Sequence, residues 1–133
     1  MSLNIKIIAP DRTVWETEAD EAILPSSTGQ VGILKGHAPL LTALDTGVMR
    51  VRINDKWVPL ALMGGFVEVE NDNLTLLINA AEQGSKIDIT KAEAELEKAI
   101  SLSNQASSPK EILESKKNIK KARARLQAAT LAK

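Results

Sequence analysis

Met49-Arg50-Val51-Arg52-Ile53-Asn54-Asp55-Lys56-Trp57-Val58-Pro59-Leu60-Ala61-Leu62 is the stretch that decides the fold class. Its first five residues alternate apolar and polar, so one side faces a core and the other faces water. Asn54-Asp55 is a turn pair, because short polar side chains hydrogen-bond their own backbone and tolerate its left-handed form. Lys56 to Leu62 then returns as a second strand. The same plan repeats outward in both directions. Leu3-Asn4-Ile5-Lys6-Ile7 alternates cleanly, Val14 to Glu18 and Glu21 to Leu24 are further short strands, and Phe66 to Glu70 turns at Asn71-Asp72 into Leu74 to Ile78. Short strands at intervals of roughly ten residues, with turn signals between, predict a sandwich or flattened barrel.

The period changes near residue 85, after a break at Gln83-Gly84-Ser85. Thr90-Lys91-Ala92-Glu93 reads as a capping box, with hydroxyl and carboxylate satisfying free N–H groups of a first turn. Ala92, Leu96, Ala99 and Ile100 then recur at helical spacing, which predicts a helix to about Leu102. Ser103 to Ser107 is a polar connector. Ser108-Pro109-Lys110-Glu111 is a stronger start signal, combining a Ser cap, Pro at the first helical position and Glu at the third. Ile112, Ile119, Ala122, Leu126 and Ala129 follow as a narrow stripe that a partner helix would cover. The expected class is α+β: a β-sandwich over residues 1–84, then an antiparallel two-helix hairpin over residues 85–133. The stripe is thin, and a buried methylene contributes only about 0.8 kcal/mol, so docking of the hairpin should be marginal.

Composition narrows the function. Aromatic residues make up 2% of the chain, as two Trp and one Phe, which argues against a stacking surface for single strands. There is no cysteine, so disulfides, thiolate metal sites and a cysteine nucleophile are excluded. The apolar runs are too short to span a bilayer. Met1 leads straight into a strand pattern with no leader segment, so the protein is expected to be made where it works. The net charge of +0 conceals a polarity. Residues 1–84 hold six basic against eleven acidic residues, a net of −5, residues 85–107 a net of −1, and residues 108–133 eight against two, a net of +6. Segments so different in charge face different partners, or each other.

His37 is the single histidine and has no second histidine for a zinc site. No GxSxG elbow, GxxxxGK[ST] or GxGxxG pattern occurs, so neither an activated serine nor a phosphate loop is present. A hydrolase around His37 and Asp45 would lack a nucleophile, and a loop histidine making a local or intersubunit hydrogen bond is the better reading. Glu16/Glu18, Glu68/Glu70 and Arg50/Arg52 stand two apart on strands, each pair sharing one solvated face. The pointed feature is the basic run Lys116, Lys117, Lys120, Lys121, Arg123 and Arg125, which keeps an apolar stripe beside its charges. That favours a helix docking on an acidic surface over a disordered tail. A nucleic-acid-binding module using this helix is the alternative.

Three elements in order, Ser26-Ser27-Thr28-Gly29-Gln30-Val31-Gly32-Ile33-Leu34, Gly36-His37-Ala38-Pro39-Leu40-Leu41 and Ala61-Leu62-Met63-Gly64-Gly65-Phe66, are more specific than any one alone. With them the chain resembles, over its whole length, the epsilon subunits of F-type ATP synthases. Thr46-Gly47-Val48-Met49-Arg50-Val51-Arg52 and Arg123-Ala124-Arg125-Leu126 are most similar to the cyanobacterial and chloroplast branch. The resemblance implies a ten-stranded sandwich with a helix hairpin, no catalysis and no cofactor. It implies a central-stalk subunit that binds gamma and the ring of c subunits and couples proton flow to the catalytic head. It implies Gly29, Gln30, Val31, Gly32, Ile33 and Leu34 as a loop facing the c-ring, and His37, Ala38, Pro39, Leu40 and Leu41 as the gamma contact. The basic helix would restrain ATP hydrolysis, extending toward the alpha and beta subunits. Location would be peripheral on the thylakoid membrane, on the cytoplasmic face in a cyanobacterium or the stromal face in a chloroplast. Ile87-Asp88-Ile89-Thr90-Lys91-Ala92 departs from the nucleotide motif of some bacterial members by Lys for Arg. A point charge does not reproduce the bidentate fork, which leaves at most a weak nucleotide site at Asp88 and Lys91.

Overall fold

A computed structural model describes residues 2–133. It contains strands β1 (Leu3–Ala9), β2 (Arg12–Ala19), β3 (Glu21–Ser26), β4 (Gly29–Leu34), β5 (Leu40–Ile53), β6 (Lys56–Glu70), β7 (Asn73–Ile78) and β8 (Ala81–Gln83). A 3-10 turn over Gly84–Lys86 leads into helices α1 (Ile89–Gln105) and α2 (Pro109–Leu131). The strands pair in the order β2-β1-β7-β6-β5-β3-β4, with β8 on β6. Every pairing is antiparallel except β1 with β7, where Asn4 to Ile8 run parallel to Asn73 to Leu77.

The alternation around the opening hairpin is what the sheet uses. Asn54 and Asp55 both adopt positive φ, 51° and 63°, and Asn71 and Asp72 do the same at 49° and 64°. These are the two-residue turns whose twist matches that of the flanking strands. Leu3, Ile5 and Ile7 of β1 and Leu74, Leu76 and Ile78 of β7 point inward with Leu24, Ile33, Met49, Val51, Leu60, Leu62 and Val67 to form one aliphatic core. No residue beyond Ala81 enters it.

Among the described residues the sandwich has eight strands, not ten. β5 and β6 are 14 and 15 residues long and each serves both halves of the sandwich. Along β6, Leu60 to Leu62 pair with β8 and Gly65 to Glu70 with β7. Gly64-Gly65 does not end the strand. It bends it, with φ of 82° and 144°, and a Cβ on Gly65 would stand 2.7 Å from Ile78 Cα. Gly29 to Leu34 is likewise a strand paired with β3, not a loop. Its alternation was hidden by two glycines.

Both helices begin near their expected starts. α2 has the full capping box: the Ser108 hydroxyl accepts from Glu111 N–H at 3.1 Å and the Glu111 carboxylate from Ser108 N–H at 3.3 Å. α1 instead is capped by Asp88, whose Oδ1 accepts from Lys91 N–H at 3.1 Å. Asp outcompetes the Thr90 hydroxyl because a carboxylate is the stronger acceptor and lies one residue before the helix. α1 also runs three residues past Leu102, so the connector is short. Ile100 and Ile112, expected on the buried stripes, are exposed; the buried positions of α2 are Ser115, Ala122, Ala124, Ala128 and Ala129. Small residues occupy two adjacent faces because α2 packs on both α1 and the sheet.

Candidate functional site

The feature that distinguishes this molecule from a plain sandwich is how α2 sits on it. Ala124, Ala128 and Ala129 pack with Ala61 of β6, Ile87 and Ala92, bordered by Val48 and Met63. The seat is almost all methyl groups, so helix and sheet approach closely but bury little area. Gly84 lies under the helix: a Cβ built there would come 2.6 Å from the Ala128 carbonyl carbon, closer still to its oxygen, and 3.2 Å from Pro59 Cγ.

Two ion pairs fasten the seat. Lys120 Nζ donates to both oxygens of Asp45, at 3.1 and 3.2 Å. Asp45 stands midway along β5 and also accepts from Thr46 N–H at 2.8 Å. The hydrogen bond from Lys120, then that from Thr46, holds its carboxyl below the usual value. Arg125 Nε donates to Glu82 of β8 at 2.6 Å and Nη2 to the other Glu82 oxygen at 3.3 Å, while Nη1 bonds Glu95 of α1. Its side chain is 19% exposed, and Glu82 chiefly, with Glu95, raises the guanidinium above its ordinary value against the opposing effect of burial. Lys116, Lys117, Lys121 and Arg123 are exposed and form no ion pair among the described residues. The basic run therefore divides into two fastened and four outward cations.

The other expected site residues fall into separate places. Gly29, Gln30, Gly32 and Leu34 are exposed along edge strand β4, with Val31 half-buried and Ile33 in the core. His37 is half-buried; its Nδ1 donates to the Ala38 carbonyl at 2.6 Å, and its N–H to the Leu34 carbonyl at 3.1 Å. Gly36 N–H donates to Asp72 at 2.7 Å, which ties this loop to the β6–β7 turn. Ala38 and Pro39 are exposed, Leu40 half-buried, and Leu41 is 72% exposed. His37 and Asp45 are each engaged elsewhere and build no dyad. Asp88 and Lys91 meet through the helix cap, carboxylate to backbone N–H. Arg50 and Arg52 are not a free solvated pair: Arg52 bonds Glu21 at 3.3 Å and Arg50 lies over Trp57 at 5.8 Å. Among the described residues no cluster of three or more His, Asp or Glu could hold a metal ion, and no helix is long and apolar enough to cross a membrane.

Two surfaces were missed. Pairings Ile8↔Leu77, Leu77↔Phe66 and Phe66↔Ala43 set four apolar residues in a row across β1, β7, β6 and β5. Phe66 is 57% and Leu77 56% exposed, so this row faces outward. The signal was available: Ile8 and Leu77 occupy the polar phase of their alternation. A groove of about 610 Å³ also opens between the hairpin and the β1–β2 turn, and its lining includes Arg12, Lys98, Lys121, Glu82 and Glu95. No local pattern announces it, because its walls come from distant segments.

The family model for the ATP synthase delta/epsilon chain beta-sandwich domain matches residues 2–84. The ATP synthase epsilon chain, chloroplastic, of Porphyra purpurea is 64% identical over 132 residues, covering 99% of this chain and 98% of its own. The ATP synthase epsilon chain of Cyanothece sp. is 55% identical over 132 residues, covering 97% and 96%. A chain of the Euglena gracilis mitochondrial ATP synthase OSCP/F1/c-ring structure shares the fold with TM-score 0.83 at 20% identity, covering 97% of this chain and 81% of that one. A chain from the Tetrahymena thermophila central stalk/c-ring structure does so at 0.62 and 11%, covering 96% of each. By sequence over nearly its full length, and by fold, this chain belongs to the epsilon-chain family of ATP synthases, beside its chloroplast and cyanobacterial members.

Proposed function

We propose that the chain serves as the non-catalytic epsilon subunit of the central stalk, with residues 1–84 fixed to the rotor and residues 85–133 as a movable brake on ATP hydrolysis. The observation that carries this reading is the mismatch within α2. Its seat is small and fastened at two points, while Lys116, Lys117, Lys121 and Arg123 stay outward and available to an acidic partner. The outward row Ile8, Leu77, Phe66 and Ala43, beside exposed Leu41, suits the gamma subunit; an apolar row of this kind marks a contact surface. The exposed edge of β4, with Gln30 and Leu34, suits the c-ring. The alpha and beta subunits would receive the helix when it extends. The subunit would then sit peripherally at a thylakoid membrane, on its stromal or cytoplasmic side.

Reconstituted enzyme carrying residues 1–84 alone should hydrolyse ATP faster than enzyme carrying the full chain. An unchanged rate rejects the brake. Co-purification of gamma with the full chain, lost on Phe66→Asp, tests the contact row. The nucleotide site at Asp88 and Lys91 would be weak, because Asp88 is already engaged in the helix cap. Micromolar binding of ATP by calorimetry would overturn that.

A further inference from the structure

Three anchors hold α2 down, and they lie on one short stretch. Lys120 reaches Asp45, Arg125 reaches Glu82, and Ala128 rests against Gly84. At about 1.5 Å per residue, these span roughly 12 Å of helix. We propose that Asp45, Glu82 and Gly84 form an intramolecular clasp that competes with any acidic partner for α2. The proposal rests on reading α2 as movable and names what holds it.

The chemistry of the anchors favours exchange. Asp45 and Glu82 present to α2 the group an acidic protein surface would present, so release swaps carboxylate for carboxylate. A ligand shifts such an equilibrium only by its differential affinity for the two states, and like-for-like exchange keeps the cost of release low. Arg125 eases it further. Glu95 belongs to α1, so when the hairpin leaves as a unit Arg125 keeps one carboxylate and gives up only Glu82. The outward Lys116, Lys117, Lys121 and Arg123 can meet a partner before any anchor breaks. Gly84 supplies the steric half. Any side chain at that position runs into the Ala128 carbonyl, so the seat closes only over glycine.

Hydrogen exchange on the purified full chain, read by mass spectrometry, tests this without any other subunit. Asp45→Asn/Glu82→Gln should speed exchange over residues 109–131 about tenfold, and Gly84→Ala should speed it further, with β5 and β6 unchanged. Lys110→Gln, which removes an α2 charge outside the clasp, is the control. Exchange in α2 no faster than in that control, or faster only together with β5 and β6, overturns the clasp. Hydrolysis assays test the brake separately, so the failure of either reading is recognised apart from the other.

Discussion

Asp45 shows how a single carboxylate reports on the whole arrangement. Lys120 and Thr46 N–H hold its pKa below the ordinary value. A depressed folded value means that its contribution to docking is complete above the usual carboxylate pKa, about 3.9, and is lost as pH falls through the lower folded value. NMR titration of Asp45 should therefore give a lower midpoint in the full chain than in residues 1–84, which lack Lys120. Equal midpoints would show that the contact does not form in solution. Gly65 makes a different demand: its φ of 144° and the closeness of Ile78 leave no room for a side chain. Gly65→Ala should destabilise the sandwich by about 2 kcal/mol or more in denaturant titration. Asp88 separates capping from ligand binding. Asp88→Ala should cost α1 about 1 kcal/mol, whereas Asp88→Asn should keep most of that, as read by thermal unfolding followed at helical wavelengths.

The elements were legible to different degrees, for identifiable reasons. The capping box of α2 was plain in Ser108 to Glu111, since all its parts lie within four residues. Ser108→Ala should remove about 1 kcal/mol and speed exchange in the first turn of α2. The two-residue turns at Asn54 and Asn71 were equally plain. Strand β4 was not, because Gly29 and Gly32 carry no side chain to show an alternation. The buried face of α2 was half readable. Ala122 and Ala129 were on the expected stripe, but Ala124 and Ala128 belong to a second face that exists only because a sheet lies beneath. Periodicity describes one partner surface at a time.

At the scale of the whole molecule, the −5 and +6 segments meet at two ion pairs, one of the two arrangements that charge left open, yet the sequence could not say which carboxylates would meet which cations. Asp45 and Lys120 are 75 positions apart and Glu82 and Arg125 are 43 apart. The sandwich core draws nothing from the hairpin, so residues 1–84 should unfold cooperatively as an isolated fragment, at a somewhat lower Tm than the full chain. A fragment that melts without a cooperative transition would show that the hairpin completes the fold. The parallel pairing of β1 with β7 bears on the order of events in time. Asn4 bonds Asn73 across a separation of 69 residues, so β1 waits for a strand made much later. Non-local closure of this kind slows folding. On a ribosome the chain emerges from its N-terminus, so β1 stays an unsatisfied edge until β7 appears. α2 follows the sandwich strands out, onto a seat that by then can be finished, so its docking comes after the sandwich and does not guide it.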